Sequence, residues 1–220
     1  MRKKLIIVGA GADSRNLAEL VSEQSREWTL LGFLDDDPAK HGTKINGVPV
    51  LGKIKDAINY VNCYFVVLIG NYSDYFIRKR CVTSLPIGLE NYATIVHSSA
   101  WVSKWANIGR GSAIYPGTTV MANAEIGNHV FIASKTNIGH DTVIGDYTSM
   151  SAMVGVAGRV VVGEGCIIGI SSSIREGVTV GEWSIVGMGS VVVSDVPPYH
   201  VVAGNPARIL KKLDPAKFHL

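Results

Sequence analysis

Cysteine is scarce. The 220 residues hold three, Cys63, Cys81 and Cys166, an odd count with no metal-ligand spacing. That excludes a disulfide framework and points to a reducing, cytosolic compartment. Charge is scarce too, at 18% of residues, and the net +3 is spread over both signs. No basic stripe marks a nucleic-acid surface. No apolar run approaches the roughly 18 residues that a membrane span needs. The apolar Leu5–Val8, behind a basic Met1–Lys4, is too short for a signal-peptide core. Membrane insertion is therefore not expected, and the expected location is cytoplasmic. Low-complexity sequence is also missing.

What is abundant is aliphatic residues in a strict period. Every sixth residue from Val96 to Val192 is Ile, Val or Met. Two positions before each stands a small or β-branched residue, such as Thr118, Ala124, Thr136, Thr142, Thr148, Cys166 and Ser172. A period of six fits neither a helix nor a simple strand. It fits a coil with three flat sides of six residues, stacked on its neighbours at strand spacing of about 4.8 Å. On each side one large and one small residue point inward. Gly109, Gly127, Gly139, Gly145, Gly163, Gly169, Gly181 and Gly187 follow the aliphatic position. They are expected to take the unusual backbone angles of the corners. The large residues Tyr115, Met121, Phe131, Tyr147 and Met153 are expected on the outer faces, available for packing between copies.

Ahead of the repeat, strands alternate with helices. Lys4–Val8, Trp28–Leu34 and Cys63–Ile69 read as buried strands. Arg15–Glu27, Lys53–Tyr60 and Ser73–Leu85 read as helices. This predicts a small parallel sheet of Rossmann-like type. The expected division is an α/β Rossmann-like domain over residues 1–88, a parallel β-helix over 89–196 and a tail over 197–220. Pro197 and Pro198 are expected to end the ladder, and Ile209–Leu220 is expected to be helical up to Pro215.

Two regions carry candidate chemistry. Ligands of open α/β sheets bind at the carboxyl ends of strands. Here these ends are Gly9–Ser14, Asp35–Asp37 and Gly70-Asn71. Gly9 and Gly11 permit a tight turn at a helix start where backbone N–H groups can hold phosphate. The full dinucleotide fingerprint is absent, which argues against a nicotinamide enzyme. In the repeat, His140 lies two residues past inward Ile138 and so points outward near a corner. Imidazole titrates near neutrality and suits a general base, and Asp141 stands beside it. His97 and His129 also lie in the repeat, but the three histidines lack the clustering of a metal site, and none is expected. The small residues Gly155 to Gly158 offer a flat outer surface along which an extended ligand can lie.

The segments IIVGAGADS, GFLDDD, INGVPVLG, IVHSSAWVS, NIGHDTVIGDY, VAGRVVVGEGCIIG and VVAGNPARIL occur in that order. Together they resemble the hexapeptide-repeat sugar acetyltransferases, which acetylate the 4-amino group of nucleotide-linked 4-amino-4,6-dideoxy sugars. Sialic acid O-acetyltransferase-like proteins share the layout. The resemblance implies a left-handed β-helix, a homotrimer and acetyl-CoA as co-substrate, with no permanently bound cofactor. It implies His140 as base with Asp141 beside it, and an acetyl-CoA groove lined by Ser149, Ile170 and Met188, to which the small-residue surface adds Gly155 and Gly158. A backbone N–H of Gly155 or Gly158 would hold the developing oxyanion. Gly11, Asp13, Ser14, Asp35, Asp36, Gly70 and Asn71 would hold the nucleotide sugar, UDP-linked by preference. O-acetylation of a sugar hydroxyl and a non-catalytic nucleotide-sugar-binding trimer are the alternatives. Three positions depart from the family pattern. Ala12-Asp13 replaces a Gly-His and sets an acid where phosphate is expected. Ala133 replaces an Asn, and Ser149 replaces a His.

Overall fold

The computed structural model describes residues 2–24, 26–70, 74–214 and 216. It divides into two units, 1–94 and 95–220. In the first, β1 (Lys3–Val8), α1 (Ala12–Gln24), β2 (Trp28–Leu34), β3 (Lys44–Ile45), β4 (Val48–Gly52), β5 (Tyr64–Val67) and α2 (Ile77–Ser84) follow in order. The sheet runs β3-β4-β2-β1-β5, and β1 lies between β2 and β5, parallel to both. Buried on two faces, its Leu5–Val8 form a continuous apolar run rather than an alternation. The β3–β4 hairpin turns at Asn46-Gly47, both with positive φ (51° and 80°), the pair a tight two-residue hairpin demands. The expected helix at Lys53–Tyr60 is a 3-10 turn over Ile54–Asn59.

The second unit is the predicted left-handed β-helix. Each side contributes a two-residue strand, and each strand pairs in parallel with the strand 18 residues on. Thr119–Val120 thus lies between Trp101–Val102 and Asn137–Ile138. Three sheets of six, five and eight strands form the faces. From Ile114 to Val192 every sixth residue is buried to 4% exposure or less, which makes one continuous column of aliphatic core. Val96, at the open end, is 42% exposed.

The small inward residues do more than fill space. Thr118, Thr136, Thr142 and Thr148 are at most 1% exposed. Each donates its hydroxyl to the carbonyl 15 residues later: Ala133, Ser151, Ala157 and Gly163, at 2.9–3.2 Å. Ser112 and Ser172 do the same to Gly127 and Gly187. A hydroxyl buried in an apolar prism is thereby satisfied, and the corner carbonyl of the next coil gains a donor.

The corners differ from expectation. The glycines after the aliphatic position do not carry positive φ. The left-handed residue falls two places later, at Asn123 (59°), Asp141 (56°), Met153 (59°), Arg159 (58°) and their equivalents. Glycine is needed after the aliphatic because adjacent coils nearly touch there. A Cβ on Gly139 would lie 2.5 Å from the Ala157 carbonyl carbon. Two outward residues are also corrected. Tyr115 (5% exposed) and Phe131 (8%) are already buried within one chain, packed edge to face at 5.0 Å. Met121 and Met153 stay exposed, at 39% and 50%.

Where helix was expected from Ile209, the chain is strand as far as Lys212. His200–Gly204 continues the eight-stranded sheet beside Ile185–Val186, and Ala207–Lys212 folds back antiparallel on it. The prolines do not end the ladder either, since Val201 and Val202 beyond them still pair in parallel with Ile185 and Val186. Thr142→Val keeps the volume but leaves the Ala157 carbonyl without this donor. We expect a loss of about 1–2 kcal/mol in denaturant unfolding, whereas Thr142→Ser should stay close to wild type.

Candidate functional sites

In the β-helix, the strand Asn137–Ile138 ends at Gly139 and releases His140 to the surface. The imidazole Nδ1 and the Asp141 carboxylate Oδ2 lie 2.6 Å apart, with both side chains about half exposed. Asp141 sits in the left-handed conformation that short polar residues tolerate. Its carboxyl is held below the usual carboxylate range, first by a hydrogen bond from Asn123 and then by His140. An anionic acceptor on Nδ1 selects the tautomer with its proton there and leaves Nε2 bare, free to accept a proton. One coil on, Gly158 lies against the ring. A Cβ on Gly158 would come within 2.6 Å of His140 Nε2 and Cε1.

The other residues expected to line a groove are spread over the prism. Gly155 lies on the same face as Asn137, one coil on. A Cβ there would meet only Ser173 Oγ, at 3.6 Å, so this surface is open. The Gly155 N–H is spent on the Ser172 carbonyl, which removes it as an oxyanion donor. The Gly158 N–H makes no such ladder bond among the described residues. Ile170 (36% exposed) and Met188 (75%) stack 18 residues apart on the preceding edge. Ser149 is half-buried in a strand of another face. A single chain therefore gathers His140, Asp141 and Gly158 at one edge and leaves Ile170 and Met188 on a second. Among the described residues, no group of three or more His, Cys, Asp and Glu is arranged to hold a metal ion.

In the first unit, all three strand ends meet in a cleft of about 550 Å³, lined by Gly9–Asp13, Asp35–Asp37 and Leu68–Gly70 with Lys40 and Arg80. Asp35 organises it. Its Oδ2 accepts from the Ala10 N–H (2.7 Å) and Lys40 Nζ (3.1 Å), and its Oδ1 from the Asp37 N–H (2.9 Å). Burial pushes its pKa up, but these donors outweigh it and hold the carboxyl below its ordinary value. Asp36 Oδ1 accepts from the Ile54 N–H at 2.9 Å. Ser14 is fully buried and donates to the Leu68 carbonyl, so its side chain ties α1 to the end of β5 instead of lining the cleft. Nothing lies within 4 Å of a Cβ on Gly11, which leaves the start of α1 accessible. Asn71 lies outside the described residues.

Asp13, expected to repel phosphate, is offset. Burial raises its pKa and the Arg78 guanidinium opposes that rise. Arg78 is itself buried and lowered to about 10, with Asp13 acting against the shift. Its Nε donates to the Ile69 carbonyl at 3.3 Å. Arg78 and Arg80 fall in the segment expected to be a helix over Ser73–Leu85, and neither they nor Lys40 and Asn123 stand out as site residues in the sequence. The spacing of 18 between Asn123 and Asp141 was the available signal.

Residues 4–85 match the family described as the PglD N-terminal domain, and residues 159–194 match the bacterial transferase hexapeptide (six repeats). UDP-N-acetylbacillosamine N-acetyltransferase of Bacillus subtilis (strain 168) is 35% identical over 117 residues, which are 51% of this chain and 51% of that protein. The matched segment thus spans about half the length of this curated relative. The acetyltransferase domain of PglB from Neisseria gonorrhoeae FA1090, in complex with acetyl coenzyme A, superposes with a TM-score of 0.84. It is 29% identical, over 96% of this chain and 100% of that one. PerB from Caulobacter crescentus, in complex with CoA and GDP-perosamine, has a TM-score of 0.83. It is 27% identical, over 94% of this chain and 97% of that one.

Gly158→Ala should move the His140 ring by about 1 Å, because a contact of 2.6 Å must open to ordinary van der Waals distance. Since the ring is half exposed it can swing out, so the melting temperature should stay within about 2 °C of wild type. A crystal structure of the variant checks whether the 2.6 Å contact to Asp141 is lost.

Proposed function

We propose that the chain is a hexapeptide-repeat sugar acetyltransferase that transfers acetyl from acetyl-CoA to the 4-amino group of a nucleotide-linked 4-amino-4,6-dideoxy sugar, a reading supported by its likeness to the PglD N-terminal domain and the hexapeptide repeat. The observation that carries this reading is the His140–Asp141 contact of 2.6 Å on an open edge of the prism. The cleft at the start of α1 supports a nucleotide-sugar site: accessible backbone at a helix N-terminus suits a diphosphate, and Lys40 and Arg80 line the cleft, each already paired with a carboxylate, Asp35 and Asp74.

In this mechanism the neutral sugar amine attacks the thioester carbonyl. His140 Nε2 takes the proton that the nitrogen sheds as the C–N bond forms, and Asp141 stabilises the imidazolium. The Gly158 N–H is the remaining candidate to hold the developing oxyanion. The tetrahedral intermediate collapses with cleavage of the C–S bond. The leaving sulfur takes the proton back from the imidazolium, giving the N-acetyl sugar and CoA. No enzyme-bound acyl group forms.

Three copies complete the site in this proposal. Ile170 and Met188 lie on a different edge from His140, and a neighbouring prism can bring the two kinds of edge together. Exposed Met121 and Met153 on the outer surface favour the same packing. Light scattering should give a trimer mass at micromolar concentration, and a monomer would rule out a composite site. UDP is the favoured nucleotide, following the relative whose name carries it. The location is cytoplasmic, in keeping with three buried free cysteines; among the described residues no helix is long and apolar enough to cross a membrane.

CoA release should be fast with one of the UDP-, dTDP- or GDP-linked 4-amino-4,6-dideoxy sugars. His140→Ala should lose at least about 100-fold in turnover while still binding acetyl-CoA, and Asp141→Asn should lose less. Release from a sugar hydroxyl acceptor instead would move the assignment to O-acetylation. Nucleotide-sugar binding without release would leave a binding protein.

A further inference from the structure

The His140–Asp141 pair is not self-supporting. Asp141 has two carboxylate oxygens, and only Oδ2 meets the imidazole. The other, Oδ1, accepts a hydrogen bond of 2.9 Å from the side-chain amide of Asn123, one coil earlier. The Asp141 backbone is fixed as well, its N–H donating to the Ala122 carbonyl at 3.0 Å, and the His140 carbonyl accepts from the Arg159 N–H at 2.8 Å. Those bonds fix the corner but leave the Asp141 side chain free to rotate. The Asn123 amide restricts that rotation.

The corner itself does not require asparagine at this place. Equivalent left-handed positions hold Lys135, Tyr147, Met153, Arg159 and Ser171. Asn123 is also exposed, so core packing does not select it. Its amide is placed to donate to Asp141, and a charged donor in its place would compete with His140 for the same carboxylate. The charged groups facing Asp141 are His140 and, from the following coil, Arg159, which is itself paired with Glu176.

We propose that Asn123 is a positioning residue for the acetyl transfer: its amide locks Asp141 so that Oδ2 holds the His140 Nδ1 proton and Nε2 is presented bare to the acceptor amine. This rests on His140 being the base. An imidazole free to take the other tautomer would carry its proton on Nε2 and could not accept one from the substrate. Asn123 therefore acts on the fraction of molecules ready to react, not on substrate affinity.

The test compares wild type with Asn123→Gly and Asn123→Asp in the full-length protein. Glycine keeps the left-handed corner at no strain and removes the amide. Aspartate keeps the size and the corner but turns the donor into an acceptor. In protein labelled with 15N-histidine, wild-type His140 should show the Nδ1–H tautomer, and both variants should show a growing Nε2–H fraction. Turnover should fall about 10-fold, the scale on which partners that orient a histidine act, with KM for acetyl-CoA and for the nucleotide sugar unchanged. A wild-type tautomer and wild-type turnover in both variants would overturn the proposal. So would a loss of turnover without the tautomer change, or the tautomer change without the loss. His140→Ala, run alongside, tests the base separately: if it keeps wild-type turnover, the base assignment fails, and the tautomer measurement still decides whether Asn123 orients the pair.

Discussion

Everything in the second unit depends on the hydrogen bonds between coils. Each short strand gives and accepts backbone bonds with the strands 18 residues before and after it. This places residue i directly over residue i+18 with no freedom to slip. A side chain on the surface therefore has its neighbours set by arithmetic. Asn123 lies under Asp141, and Gly158 lies over His140. The edge that carries the dyad is assembled from three successive coils, none of which holds it alone.

The same constraint explains what could be read from the chain and what could not. The aliphatic column was legible because its period involves one residue type at one spacing, and the structure buries it from Ile114 onward. The role of the small residues was only half legible. Their inward direction follows from the period, but their hydroxyls reach carbonyls 15 residues away, a spacing that no composition pattern displays. The glycines after the aliphatic were placed correctly and explained wrongly: close approach of backbones, not left-handed angles, selects them. Left-handed corners admit Met153 and Arg159 as readily as Gly177, so they leave little trace in the sequence.

In the first unit, the meeting of the three strand ends on one side was legible, because a parallel sheet aligns its carboxyl ends, and they share one cleft. The division of labour among their residues was not. Asp35 and Ser14 looked like ligand contacts. The structure gives both carboxylate oxygens of Asp35 to the protein's own donors and buries the Ser14 hydroxyl against Leu68. Asp13 looked like an obstacle to an anion, but the charge that offsets it comes from Arg78, on a helix more than sixty residues later, which only the fold brings near. Buried charge compensation of this kind is a property of three-dimensional neighbours and has no local signature.

The closing hairpin bears on how such a prism stays finite. A stack of parallel coils is a directional template, with an end that could accept another coil from any source. In the eight-stranded sheet the last neighbour is reversed: Ala207–Lys212 runs antiparallel to His200–Gly204 and shifts register between Val201 and Val202. It also lines that edge with Arg208, Lys211 and Lys212. A strand from a neighbouring copy meets like charges there. On this face the stack therefore closes on a reversed, basic strand rather than on another parallel coil.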